Sequence, residues 1–236
     1  MTGADQADPL PPSLARRAVA ELVGTLLLVA TVVGSGIMAD RLCGGNTGLT
    51  LLCNAVATGA GLVALIHTFG PVSGAHFNPA VTLASAATGG TPWRYVGAYV
   101  AAQLTGALLG VCLAHWMFEL PAFTPSTHVR TGPSQWLAEF VATFGLLGTI
   151  FGVSRRTPSA TPVAVSLFVV GAYWFTASTS FANPAVTLAR AFTDTFTGIR
   201  PSDVPGFVAA QLLGAGVAAT LFAWLIPARA SEPPAP

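Results

Sequence analysis

Ser73-Gly74-Ala75-His76-Phe77-Asn78-Pro79-Ala80-Val81-Thr82-Leu83-Ala84 is answered later in the chain by Ser180-Phe181-Ala182-Asn183-Pro184-Ala185-Val186-Thr187-Leu188-Ala189. Asn-Pro-Ala-Val-Thr-Leu-Ala recurs without a change. Asn is a favoured helix N-cap, and Pro fits the first helical position, where its missing N–H is not needed. Each copy therefore opens a helix. Gly89-Gly90 after the first copy and Thr193-Asp194 after the second leave each helix about ten residues, which at 1.5 Å per residue spans half of a bilayer core.

The surroundings are apolar. Hydrophobic residues make up 53% of the 236 positions and charged residues only 8%, far below the roughly 25% of a soluble domain, so the chain is expected to be an all-α membrane protein. The ten basic residues are all Arg, are scattered, and leave a net charge of +1. Nothing in that pattern fits a nucleic-acid partner. Cys43, Cys53 and Cys112 lack the spacing of a zinc site or a disulfide framework. Cys53 and Cys112 are expected to be buried small hydrophobes. No metal and no cofactor is implied.

Taken in order, residues 1–15 read as a Pro- and Asp-rich disordered tail. A cleavable signal is not expected, because the first apolar run is longer than a signal core and its basic flank lies far from Met1. Six runs are long enough to span a bilayer: 18–39, 49–70, 95–118, 136–154, 163–178 and 204–226. The two short helices follow the second and fifth runs. Residues 119–135, rich in Pro and Thr, join residues 18–118 to residues 136–226, and residues 228–236 form a second tail.

Those two stretches are repeats. Glu21-Leu22-Val23-Gly24-Thr25 is echoed by Glu139-Phe140-Val141-Ala142-Thr143, and Val100-Ala101-Ala102-Gln103-Leu104 by Val208-Ala209-Ala210-Gln211-Leu212. Three spans per repeat turn the second repeat upside down relative to the first. Inverted repeats with half-helices place a functional site near the midplane, at the repeat interface. Non-helical backbone at that depth is tolerated only inside protein or along an aqueous cavity. With both termini cytoplasmic, Arg16, Arg17, Arg94, Arg155, Arg156 and Arg229 lie inside and Arg41, Arg130, Arg190 and Arg200 outside, a modest excess in the direction of the positive-inside rule.

The duplicated Asn-Pro-Ala within two hydrophobic halves resembles the aquaporin, or major intrinsic protein, family. The resemblance covers nearly the whole chain. It implies one channel domain of six transmembrane helices plus two re-entrant half-helices, assembled as a homotetramer in a bacterial membrane, in contact with lipid and small neutral solutes, with no enzymatic activity. Facing helix N-termini would repel cations at the midplane. Each Asn oxygen would cap its own helix and leave the amide NH2 to donate into the pore. Gly74, Ala75, His76 and Phe77 on one side, and Thr179, Phe181 and Ala182 on the other, would line the path with backbone carbonyls. The Asn-Pro-Ala set is Asn78, Pro79, Ala80, Asn183, Pro184 and Ala185.

The resemblance also assigns supporting roles. Glu21 and Glu139 would hold the re-entrant loops by accepting backbone N–H bonds, with Gln103 and Gln211 as further polar scaffold and His76 as a packed imidazole beside the pore. Where most aquaporins carry an Arg directly after the second Asn-Pro-Ala, this chain has Val186. Family spacing puts the other filter positions at Thr58, Gly171 and Ser180, giving a small, uncharged and wide filter. Ser180 also stands where the family's common mercury-sensitive Cys would be. The combination resembles a bacterial subgroup, associated with arsenic resistance, that passes arsenic-containing acids and related neutral solutes. Arg190, two turns past Asn183, either restores charge near the mouth or snorkels to the interface, and Tyr173 and Trp174 are placed to narrow that mouth. A water-selective pore, a proton-coupled transporter using Glu21 or Glu139 and a non-conducting membrane protein stand as alternatives.

Overall fold

The computed structural model describes residues 11–227. Among them six helices have the length and apolarity to cross a membrane: α1 (Leu14–Leu42), α2 (Thr47–Ser73), α4 (Trp93–Met117), α5 (Pro133–Ser154), α6 (Thr161–Phe175) and α8 (Val204–Leu225), the last two each entered through a short 3-10 turn. The protein is an all-helical, multi-pass integral membrane protein. Two short helices, α3 (Pro79–Ala87) and α7 (Pro184–Arg190), are nine and seven residues long.

The boundaries follow local chemistry. Ser13 accepts from the Arg16 amide to cap α1, so the expected tail gives way to helix at Leu14. The remainder of that tail, residues 1–10, and the expected tail over 228–236 lie outside the described residues. Asn46 accepts from the Leu49 amide to cap α2, which ends at Gly74 with φ of 91°, a left-handed C-cap. The fifth span stops at Phe175 rather than 178, because Thr176 turns extended and residues 176–182 form the second re-entrant loop.

Each half-helix is buried against long helices of the opposite repeat. Ala185, Val186 and Ala189 of α7 pack on Val29 and Val33 of α1 and Val111 of α4. Ala80, Val81 and Ala84 of α3 pack on Leu147 and Phe151 of α5 and Ala218 of α8. That exchange locks the two repeats together around the midplane. Small residues allow it: Gly24 leaves room for the Phe77 ring, whereas at the matching place in the second repeat Ala142 meets the smaller Ala182.

The long connection between repeats is a folded cover. Thr124 and Ser126 amides donate to Phe192 and Ala191 carbonyls, and the Arg200 amide donates to His128 O. The His115 ring, 1% exposed, sits between Pro121 O at 2.5 Å and Thr193 Oγ1 at 2.7 Å. Thr127 donates both its amide and its hydroxyl to Asp194 Oδ1, which holds that carboxyl below its ordinary range. Cys112 is buried, but Cys53 is exposed, because it shares the outward face of α2 with Leu49, Leu52 and Val56.

Candidate pore

Asn78 and Asn183 each open a half-helix by accepting from the backbone: the Ala80 amide donates to Asn78 Oδ1 at 2.9 Å, and the Ala185 amide to Asn183 Oδ1 at 3.0 Å. Their amide groups are not wholly free, contrary to expectation. Asn78 Nδ2 donates to Ala182 O at 2.7 Å and Asn183 Nδ2 donates to Phe77 O at 2.8 Å. The cause is the need of buried loop carbonyls for partners. One N–H of each Asn is thereby spent on a cross-link between the half-helix tips, and one remains.

The loops that carry these carbonyls are held in a costly shape. Ala75, Phe77, Thr179, Ser180 and Ala182 all have φ between 49° and 61°, a region that costs roughly 1–2 kcal/mol per non-glycine residue. Two carboxylates offset it. Glu21 accepts from Ser73 Oγ at 2.6 Å, the His76 amide at 2.9 Å, the Phe77 amide at 2.7 Å and Gln103 Nε2 at 2.8 Å. Glu139 accepts from the Phe181 and Ala182 amides, both at 2.9 Å, and from Gln211 Nε2 at 2.6 Å. Both are 0% exposed. The second N–H of each glutamine reaches a threonine, Thr82 or Thr187, whose hydroxyl donates to the carbonyl of its Asn. These threonines belong to the duplicated heptapeptide, yet their role was not read from it.

The repeats differ where His76 corresponds to Phe181. His76 Nδ1 lies 3.0 Å from Thr82 Oγ1 and its ring 5.3 Å from that of Tyr99. Phe181 instead packs edge-on to Phe207, with ring centroids 5.1 Å apart, and carries two arginines. The guanidinium carbon of Arg190 is 3.4 Å from the Phe181 centroid and that of Arg130 is 5.2 Å away. Arg130 comes from the cover and donates Nε to Gly198 O and Nη1 to Ser178 O, which anchors the second loop from above. No spacing pattern pointed to it.

A single cavity of about 510 Å³ threads these groups. One end is bordered by Thr88, Gly90, Ser154 and Arg155, the middle by Asn78 and Asn183, and the other end by Thr58, Tyr173, Ser180, Val186 and Arg190. Gly74, Ala75, His76, Phe77, Phe181 and Ala182 border it as well, while Thr179 does not. Gly171 is on the wrong side of α6. It is exposed, has no heavy atom within 4 Å of where its Cβ would be, and lies apart from the cavity. Thr161, Val165, Val169 and Tyr173 are the α6 residues that border the cavity, at the four-residue spacing of one helical face. The Tyr173 hydroxyl reaches to 3.2 Å of Thr58 Oγ1, so an aromatic side chain narrows this end where an open glycine was expected.

Arg190 does not snorkel. It is 2% exposed, and its Nε donates to Thr197 O across the turn that ends α7. That turn, with the Ile199 amide bonded to Arg190 O, stops α7 short of the ten residues expected. Replacing Tyr173 with Ala is expected to raise glycerol permeability about threefold to tenfold, a barrier change of roughly 0.7–1.4 kcal/mol, whereas Gly171→Ala leaves it unchanged. Stopped-flow light scattering of proteoliposomes checks both.

Residues 11–177 match the Major intrinsic protein family. The chain is 58% identical over 217 residues to Aquaglyceroporin AqpS of Rhizobium meliloti, covering 92% of this chain and 93% of that one. It is 33% identical over 202 residues to Aquaporin NIP2-3 of Zea mays, covering 82% of this chain and 65% of the longer plant protein. In overall fold it is similar to the crystal structure of the aquaglyceroporin from Plasmodium falciparum, with a TM-score of 0.68 at 21% identity over 91% of this chain and 98% of that one. Duplicated Asn caps, paired carboxylate struts and this likeness over most of its length agree: the chain belongs to the major intrinsic protein family.

Proposed function

We propose that the protein is a passive channel for small uncharged solutes, a single channel domain over residues 1–236 whose repeats are residues 18–118 and 136–226. What carries this is one continuous cavity that runs past both Asn residues, from Thr88 and Arg155 on one side to Thr58, Tyr173 and Arg190 on the other. Facing half-helix N-termini disfavour cations there, and the two spare Asn N–H groups offer a neutral solute its hydrogen bonds. The glutamates are fully occupied as struts, which supports a channel over a proton-coupled carrier.

Within that class, Val186 in place of the usual Arg favours solutes larger than water. Glycerol-like polyols, in keeping with the aquaglyceroporin name of the rhizobial relative, and arsenic-containing acids are the proposed range. Orientation with both termini in the cytoplasm of a bacterium, and assembly as a tetramer with one pore per chain, complete the proposal. Under that orientation the Arg190 end of the cavity faces outward.

The test compares water and glycerol permeability of proteoliposomes holding wild-type protein or Val186→Arg. The wild type is expected to pass both. Val186→Arg is expected to lose about tenfold in glycerol flux, a barrier of roughly 1.4 kcal/mol, while keeping most water flux. A wild type that passes only water, with no change in the variant, would make this a water-selective pore.

A further inference from the structure

Arg190 holds a charge at membrane depth without a carboxylate partner: among the described residues the one ion pair joins Arg200 to Asp203. Intramembrane charges of this kind mark solute paths. Its Nε is committed to Thr197 O, and its flat face to the Phe181 ring. Among the described residues, no protein group takes its two Nη atoms, and the side chain borders the cavity.

Around it stand further unused donors. Tyr173 and Thr58 share one hydroxyl hydrogen between them, so the other hydroxyl hydrogen is available to a ligand. Ser180, 5% exposed and bordering the same end, has an Oγ with no partner. Arg130, 5.2 Å from the same Phe181 ring, adds a second positive charge from behind, its Nε and Nη1 held by backbone carbonyls. Arginine presents a planar fork that matches two oxygens on one face of an oxoacid.

We propose that Arg190, with Tyr173, Thr58 and Ser180, forms an oxyanion-binding site at this mouth of the channel. The ligand class is a small oxoacid carrying at least two oxygens on one centre, such as a phosphonate, arsonate or carboxylate. Its anion docks on the Arg190 Nη pair and obstructs the path. The proposal rests on the cavity being the conducting path, and it adds a charged recognition step to a mouth whose sequence position next to the second Asn-Pro-Ala is apolar.

Methylphosphonate is the probe. Water permeability of proteoliposomes is measured with methylphosphonate on both sides and an inert osmolyte as the driving gradient, each protein being normalised to its own anion-free flux. Wild type is expected to show saturable inhibition. Arg190→Gln is expected to weaken it at least about tenfold, and Arg190→Lys to fall between, since an ammonium keeps the charge without the fork. Unchanged water flux in the wild type, or equal inhibition of Arg190→Gln, would overturn the site while leaving the channel standing. Calorimetric titration of methylphosphonate into detergent-purified wild type is the second measurement: saturable binding is expected, and its absence overturns the site even if no variant folds. A wild type that binds the anion but passes no water would refute the channel and not the site.

Discussion

Glu139→Ala is expected to remove the conducting structure altogether. The substitution strands three buried donors at once, the Phe181 and Ala182 amides and Gln211 Nε2. At about 1–3 kcal/mol for each unsatisfied group, the loss is roughly 3–9 kcal/mol, the same order as the whole stability of an ordinary domain. It falls on a loop whose Ser180 and Ala182 already sit at positive φ. Little protein should survive extraction as a monodisperse peak, and surviving protein should carry no solute. Glu139→Gln is milder, because one acceptor oxygen remains while the other becomes an NH2 facing the amides. It should lower the thermal midpoint in detergent and reduce flux in proportion to folded protein, with no dependence on a proton gradient. Gradient-driven uptake by the wild type that disappears in a well-folded Glu139→Gln protein would instead establish a proton-coupled carrier. Glu21→Ala should behave in the same way, with four donors stranded.

Why those carboxylates could be read from the sequence, and Tyr173 could not, is a matter of helical phase. Glu21, Gln103 and Asn78 recur as Glu139, Gln211 and Asn183 within matching words, so one repeat checks the other. The filter residue on α6 has no such check. Counting back from Asn183 to Gly171 carries the family spacing through residues 176–182, which are not helical here, and α6 has exposed apolar residues such as Val163, Leu167 and Phe175 opposite its inward valines. A helix apolar on all sides gives no amphipathic signal to set its rotation. Arg130 was hidden for another reason. Its contacts with Ser178 and Gly198 join the cover to the second re-entrant loop, and long-range packing of an irregular segment leaves no period to read. Arg190 could be placed on the face of α7 toward the mouth, but only the turn at Thr197 and the Phe181 ring decide between burial and the interface.

Gly106→Ala is expected to separate the two helices that hold the first repeat together. The new Cβ would be driven into the backbone carbonyl of Leu22 on α1, and a backbone oxygen in the middle of a packed helix cannot rotate away as a side chain would. Alanine improves intrinsic helix propensity over glycine by about 1 kcal/mol. Overpacking that the backbone cannot relieve costs about 1–3 kcal/mol, so the clash wins and the net change is destabilising. A Cβ at Gly214 on α8 would stand 2.5 Å from Phe140 O on α5, and replacement there should cost a similar amount. The two sites share no contact partner, so the double variant should lose close to the sum of the singles. Gly216, on the same helix as Gly214, has nothing within 4 Å of its Cβ position. Gly216→Ala should therefore hold or raise the thermal midpoint. If all three alanines shift that midpoint alike, close approach of α1 to α4 and of α5 to α8 is not what requires glycine here. If only Gly106 and Gly214 lower it, the small residues are the means by which the struts Glu21 and Glu139 come within reach of the glutamines on the facing helices.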